Sequence, residues 1–272
     1  MINDSYLIFS NGGEVNDVAA QKIHSKMKEY GWTEVHHREE AALIFCIGGD
    51  GALLRLIRRS KFPKAAIIGI NTGHLGFFQE IPADGIDSFF EKFEAKDYRI
   101  QDYIGISVDI YGEEGLIRNC VAINEVVIKG KGERLMHMGM KIGGQDVTRF
   151  SGDGVLICTP AGSTAYNYSL GGAIVDPDVD MLQITPMAPV NNSAYRSLAS
   201  SIIMPTRTSI EIIPEIIREG GVPNEVVVIE DGGTVAEGYI TKVVIRVAED
   251  KAHIVRFSGY NFWDKVRDKI IG

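Results

Sequence analysis

The sequence predicts an α/β N-terminal domain of Rossmann-like type followed by a β-rich C-terminal domain. Three observations carry this prediction. Strand and helix signals alternate up to about residue 97, as in βαβ units. Beyond Tyr98 helical periodicity almost vanishes, and strand-length apolar segments are separated by Gly, Pro, Asn and Asp. The final stretch, "NFWDKVRDKIIG", turns helix-like again, with Phe262, Val266 and Ile270 on one stripe.

Each element has its own signature. "YLIFS" (Tyr6–Ser10) is a short apolar run ended by "NGG". Val15, Val18, Ala19, Ile23 and Met27 follow at helical spacing, with Gly31 as the stop. "ALIFCI" (Ala42–Ile47) and "AAIIGI" (Ala65–Ile70) are uninterrupted apolar runs, suited to parallel strands covered on both faces. Between them, Ala52 to Arg59 places Leu53, Leu56 and Ile57 on one face, with Arg55, Arg58 and Arg59 largely off it. Ile86, Phe89, Phe90 and Phe93 form another helical stripe, read as core. The later strand candidates are "IGISVDIYG", "CVAINEVVIKG", "MHMGMKIGG", "VLICTP", "MLQITPM", "SIEIIP", "EVVVIEDGG", "VVIRVA" and "HIVRFS". The predicted division is therefore 1–97 for the α/β domain, with the 260–272 helix packing back on it, and 98–259 for the β-rich domain.

Composition narrows the function. Over 272 residues the hydrophobic share is 45% and the charged share 24%, the balance of a soluble globular protein. A net charge of −8 argues against a general nucleic-acid binder. The N-terminus lacks the basic and apolar regions of a secretory leader, and no apolar run reaches the roughly 18 residues needed to span a bilayer. Cys46, Cys120 and Cys158 are far apart in apolar surroundings and read as reduced thiols. The expected compartment is the cytoplasm. His36, His37 and His74 lack metal-pair spacing, so no structural metal is expected.

Two glycine-flanked aspartates stand out. "IGGDGALLR" lies at a strand-to-helix junction, where Gly48 and Gly49 leave N–H groups clear to approach a phosphate beside a helix start. The same residues also suit a tight turn with Asp50 as N-cap, and local chemistry leaves both readings open. There is no Walker A motif. The second aspartate opens "SGDGVLICTPAGSTAYNYSLGG" (Ser151–Gly172). Its small hydroxyls and exposed backbone suit a ribose or phosphate, and Tyr166 suits a base edge; a polar loop capping a helix is the plainer alternative. "INEVVIKG" sets Asn124 and Glu125 before an apolar strand, and "IEDGGTVAE" reads locally as a hairpin turn.

The order of these motifs is more specific than any one of them. GGDG, "GINTGHLGFF", "NEVVIKG", "GDGVLICTPAGSTAYNYSLGGAIVDP" and "RFSGYNFWDKVRD" together resemble the NAD kinase family, of the ATP- or polyphosphate-dependent bacterial type, nearly end to end. The resemblance implies a two-domain NAD kinase-like fold with its site between the domains, usually in a homodimer or homotetramer. It implies phosphoryl transfer from ATP, with Mg²⁺ or another divalent cation, to the adenosine 2′-hydroxyl of NAD, giving NADP.

Residue by residue, Asp50 matches the family's proton acceptor, with Gly48 and Gly49 at the donor phosphates and Gly51 against the substrate. Leu54 and Phe77 look like an apolar wall near the base, with Arg55 beside them. Asn124 and Glu125 match the pair that holds the adenosine portion, and Asp153 a nicotinamide-amide contact. Thr164, Ala165, Tyr166, Asn167 and Ser169 fall in the TAYxxS segment, Ala188 and Val190 after "TPM", and Asp231 resembles a late acidic contact. The chain departs from the pattern at Ala52, Phe78, Ser151 and Ala161, where Thr, Tyr, Arg and Thr or Ser are common. A lipid or sphingoid-base kinase shares the GGDG logic, and a non-catalytic dinucleotide sensor would keep the pocket without turnover.

Overall fold

A computed structural model describes residues 4–73, 76–132, 135–191, 197–215, 218–219, 222–223 and 225–272. The chain divides into two compact units, Met1–Tyr103 with Asp250–Gly272, and Ile104–Glu249.

The first unit is α/β. In chain order it holds β1 (Ser5–Ser10), α1 (Glu14–Glu29), β2 (Thr33–Glu34), β3 (Leu43–Ile47), α2 (Asp50–Ser60), β4 (Ala66–Asn71), β5 (Ile81–Pro82), α3 (Ile86–Glu94) and the start of β6 (Tyr98–Gly112). β2, β1, β3 and β4 lie side by side in parallel, and His253 and Ile254, from the strand Lys242–Phe257, extend the row beyond β4. The apolar runs give the expected result: every residue of β3 is buried. Ala19, Ile23 and Met27 of α1 pack on the sheet with Phe45, Ile68, Phe89 and Phe90. Phe45 stands edge-on to both Tyr6 and Phe89, with ring centroids 6.2 and 6.0 Å apart. Such offset aromatic pairs add to what burial alone contributes.

The second unit is a stack of two antiparallel sheets. After β6 come β7 (Gly115–Ala122), β8 (Glu125–Gly130), β9 (Met136–Ile142), β10 (Gln145–Gly152), β11 (Gly154–Cys158), the single-turn helix α4 (Tyr166–Ser169), β12 (Met181–Met187) and β13 (Ile202–Pro205). They are followed by β14 (Ile210–Pro214), the short pair β15 (Arg218–Glu219) and β16 (Val222–Pro223), then β17 (Val226–Glu230), β18 (Gly233–Gly238) and β19 (Lys242–Phe257). One sheet joins β10, β9, β14 and the start of β19 in that order, with β6 pairing β19 and β7. The other has the order β13, β12, β11, β8, β17, β18. Inward side chains from both, among them Ile106, Ile128, Met138, Val155, Ile184 and Val243, form one apolar core. The far end of β19 returns the chain to the first unit, which closes with α5 (Phe262–Val266), capped by the Asn261 side chain accepting from Trp263 N–H.

Three departures from the sequence-based expectation are informative. "CVAINEVVIKG" is two strands, because the amides of Ile123 and Asn124 bond to Asp231 instead of continuing the ladder. "VVIRVA" and "HIVRFS" are one 16-residue strand, β19. The charged residues Glu249–Lys251 between them remain extended, since the segment holds no Gly or Pro to turn it. The polar strand β10 has no apolar alternation to announce it; its first half is largely exposed and it pairs along β9. All three cysteines are buried, and among the described residues none forms a disulfide. Among the described residues, no helix is long and apolar enough to cross a membrane.

Phe45→Ala should lower the unfolding free energy of the α/β unit by about 3–5 kcal/mol, the usual cost of an aromatic cavity in a core. Val18→Ala, at a position 52% exposed on α1, should change it by under about 0.5 kcal/mol. Urea denaturation of the two variants, followed by circular dichroism, checks both values.

Candidate active site

Gly48 has φ +141°, and a Cβ there would lie 2.9 Å from Ala52 Cβ, so this turn requires glycine. Gly49 is the N-cap of α2, and Asp50 is the first helical residue rather than the cap. Its charge still suits the positive end of the helix, but its carboxylate is used elsewhere. Phe77 N–H donates to Oδ2 at 2.8 Å, while Phe78 and Gln79 N–H donate to Oδ1 at 3.0 and 3.4 Å. A carboxylate has about four lone-pair directions, so three amide donors leave room for one more, as a hydroxyl would supply. Gly76 is packed so closely on Asp50 that a Cβ would strike the carboxylate.

The carbonyl side of the same turn faces two buried cations. Lys265 Nζ donates to the carbonyls of Gly76, Phe77 and Gln79 at 3.0, 3.2 and 2.8 Å. Arg256, 0% exposed, donates to Phe78 O at 2.8 Å and Phe77 O at 3.3 Å. It is held in turn by Gln101 Oε1 and the Tyr103 hydroxyl, with the Tyr260 ring 4.0 Å away. Gln79 ties the turn back to the helix start, its side-chain amide donating to Gly49 O at 3.2 Å. Burial, with the Arg256 charge nearby, pushes the Lys265 ammonium down to about 8. Three carbonyl acceptors match the three N–H donors of the ammonium form.

Around this centre, Leu54 and Phe77 are half-buried and Gly51 and Arg55 exposed. The Arg55 guanidinium runs beside Gly51 and donates from Nε to Asn11 Oδ1 at 3.1 Å. Ala52 and Phe78 are both buried, so neither departure from the family pattern removes an exposed hydroxyl. His74 lies outside the described residues.

The second unit repeats the device. Asp231, at φ +43° in the Asp231–Gly232 hairpin turn, accepts from the amides of Ile123, Asn124 and Glu125 at 3.0, 2.8 and 3.1 Å. Asn124 and Glu125 are themselves buried, yet among the described residues Asn124 Oδ1 and Glu125 Oε2 have no hydrogen-bond partner. Orphaned buried oxygens are costly, and they mark where a ligand's donors would bind. Burial, reinforced by the Asp231 charge, pushes the Glu125 carboxyl up to about 8, so near neutral pH it is largely protonated. Gly162 abuts the Asn124 carbonyl so tightly that a Cβ has no space, which joins the Gly152–Gly172 loop to this pair.

Within that loop the side chains divide. Tyr166 is 44% exposed, Ser169 is exposed, and Thr164 and Ala165 are half-buried. Asn167 is not free to act as a contact residue, because its amide is consumed inside the unit. It donates to Ser163 O and Ala173 O and accepts from the Thr185 hydroxyl at 2.6 Å. Asp153 is exposed at the bend before β11, its N–H bonded to Met187 O. Ala188 is exposed with φ +42°, and Val190 N–H donates to Ser151 O at 2.8 Å. Ser151 is buried and bonded to His137 Nδ1, so this position carries an internal hydrogen bond in place of a cation.

Among the described residues, no group of three or more His, Cys, Asp or Glu side chains could hold a metal ion. Lys265, Arg256, Gln79 and Glu80 were missed from the sequence. The available signal was a lysine three residues after Phe262 on the apolar face of the last helix, and an arginine inside the apolar run "HIVRF".

A carboxylate held at a glycine-rich helix start, and a β unit with orphaned buried oxygens, are features that a nucleotide-dependent phosphotransferase of two domains would use. Residues 9–98 match the family of the ATP-NAD kinase N-terminal domain, and 123–257 that of the ATP-NAD kinase C-terminal domain. An NAD kinase of Finegoldia magna is 35% identical over 221 residues, 78% of this chain and 79% of that one. NAD kinase 1 of Halalkalibacterium halodurans is 32% identical over 270 residues, 98% of each. The crystal structure of yeast NADH kinase complexed with NADH superposes with TM-score 0.83 at 17% identity, covering 98% of this chain and 87% of that one. An NAD kinase from Archaeoglobus fulgidus in complex with ATP gives 0.76 at 21% identity, covering 98% of each. The chain belongs to the NAD kinase family, whose reaction is the phosphorylation of NAD.

The raised Glu125 carboxyl has a stability consequence. Between the ordinary carboxylate value of 4.5 and about 8, the folded chain holds a proton that the unfolded chain has lost. The unfolding free energy should therefore fall as pH rises through that window. Glu125→Gln removes this contribution, so urea denaturation from pH 5 to 8 should show wild type losing stability relative to the variant; parallel curves would refute it.

Proposed function

We propose that Asp50 takes the proton of the adenosine 2′-hydroxyl of NAD as that oxygen attacks the terminal phosphorus of ATP. The O–H bond breaks toward the carboxylate, the new O–P bond forms, and the bond to the β-phosphate oxygen breaks, giving NADP and ADP. The observation that carries this reading is the Asp50 carboxylate itself, oriented by the Phe77, Phe78 and Gln79 amides with acceptor capacity left over. Phosphoryl transfer has a loose transition state, so positioning and charge neutralisation supply most of the acceleration. A divalent cation, Mg²⁺ or another, enters as part of the ATP complex.

In this reading Gly48, Gly49 and Gly51 let phosphates and substrate approach the backbone, with Arg55 alongside, and Leu54 and Phe77 contact the base. Asn124 and Glu125 bind the adenosine portion through the two orphaned oxygens, the protonated Glu125 also serving as a donor. Asp153 takes the nicotinamide amide. Thr164, Ala165, Tyr166, Ser169, Ala188 and Val190 line the dinucleotide, while Asn167 and Asp231 act through the backbone they hold. The segments 1–97 with 260–272, and 98–259, are the two functional domains. The enzyme works in the cytoplasm as a homodimer or homotetramer.

Purified protein incubated with NAD, ATP and Mg²⁺ should form NADP, read with an NADP-specific dehydrogenase. Asp50→Asn should lower turnover by about 10²–10⁴-fold, the range for a lost general base. A folded, NAD-binding wild type that makes no NADP, even with polyphosphate as donor, would identify a dinucleotide sensor instead. Phosphorylation of diacylglycerol in place of NAD would identify a lipid kinase.

A further inference from the structure

We propose that Lys265 is a positioning residue for phosphoryl transfer, presenting Asp50 through the turn at Gly76–Gln79. The assignment rests on the reading of Asp50 as proton acceptor. It goes beyond that reading by placing the control of the base in the C-terminal helix, a long way along the chain from the glycine loop.

Between residues 76 and 79 the N–H groups of Phe77, Phe78 and Gln79 all point at one carboxylate. The carbonyls of Gly76, Phe77 and Gln79 all point at one ammonium. The peptide units of the turn therefore have a cation at their oxygen ends and an anion at their hydrogen ends. Linked bonds of this kind polarise and strengthen one another in a low-dielectric interior. The turn cannot rotate a central peptide plane without breaking a bond on both sides.

Asp50 has little else to orient it. It is the first residue of α2, and Gly49 before it supplies no side chain. Gly76 must stay bare to admit the carboxylate, so packing at that point offers contact with backbone alone. If the turn relaxes, the carboxylate loses the donors that fix its rotamer. Among the described residues, Lys265 is the charged group bonded to three of the four turn carbonyls; Arg256 takes Phe78 O and shares Phe77 O. Lys265 is buried, and its ammonium carries a desolvation cost that a methionine of similar length would not. The same three donors also satisfy buried carbonyls, so a positioning role is told from a purely structural one by kinetics and not by stability.

A kinetic double-mutant cycle tests the assignment on the full-length protein with NAD, ATP and Mg²⁺. Lys265→Met should lower kcat by about 10²-fold, the scale of a misplaced reacting group, with KM for NAD within about twofold. Lys265→Arg, which keeps the charge, should recover at least about tenfold of that loss. In the Asp50→Asn background, Lys265→Met should cost less than about twofold, because the group through which it acts is gone. Lys265→Gln, which keeps an N–H donor group without the charge, serves in the same cycle if the methionine variant does not fold. Its expected loss is about tenfold on wild type and none on Asp50→Asn.

Losses that multiply between Asp50 and Lys265, or a Lys265→Met or Lys265→Gln variant with wild-type kcat, would overturn the proposal. Asp50→Asn with near-wild-type turnover would instead overturn the proton-acceptor reading beneath it. The two failures are therefore distinct.

Discussion

The placing of the Asp50 carboxylate in the α/β unit depends on the turn from Gly76 to Gln79. Its amides hold the Asp50 carboxylate, and its carbonyls are held by Lys265 and Arg256. Burying two cations close to a carboxylate is expensive, and removing one partner would leave the others unpaired in a low-dielectric setting. The arrangement persists because each charge meets backbone dipoles aimed at it. Glu80 extends the network, accepting from Phe257 N–H at 3.1 Å and lying 3.6 Å from Arg256 Nη1. Residues from three distant stretches of chain thus define the position of one side chain.

The β-rich unit solves a related problem in the same way. Asp231 gathers three consecutive amides, those of Ile123, Asn124 and Glu125, as Asp50 gathers three in the other unit. The consequence differs. In the first unit the gathering carboxylate is itself the candidate reactive group; in the second it fixes a backbone whose own side chains carry unsatisfied oxygens. Supporting bonds from Asn167, Thr185 and Gln183 stiffen the adjoining loop, so its exposed face is presented on a firm base.

Much of the fold was legible because burial leaves a periodic trace. The stripe Ala19, Ile23, Met27 and the unbroken runs of β3 and β4 record helices and parallel strands without reference to neighbours. Strand β10 and the continuous strand through Glu249–Lys251 left no such trace, since their pairing rests on backbone bonds that almost any side chain permits. At the site, Asp50 and the Asn124–Glu125 pair stood out as polar residues in apolar or glycine-rich surroundings. Arg256 was equally anomalous, a guanidinium inside the apolar run "HIVRF", whereas Lys265 lies in the charged run "DKVRDK" and was marked only by its place beside Phe262 and Val266 on the helix stripe. Their meaning was hidden because their partners are carbonyl groups, which every residue possesses.

The sequence by itself determined the two classes of architecture, the glycine-rich junction before Asp50, and the family to which the motifs belong. Those features depend on local conformation or on an ordered set of side chains, both written in the chain. Tertiary structure alone decided that Asp50 is a bound carboxylate rather than a helix cap, and that Asn167 faces inward. It also decided that a lysine near the C-terminus grips a turn nearly two hundred residues earlier, 189 positions from Gly76. These are facts about which donor meets which acceptor, and backbone groups carry no residue-specific mark by which a sequence could announce the pairing.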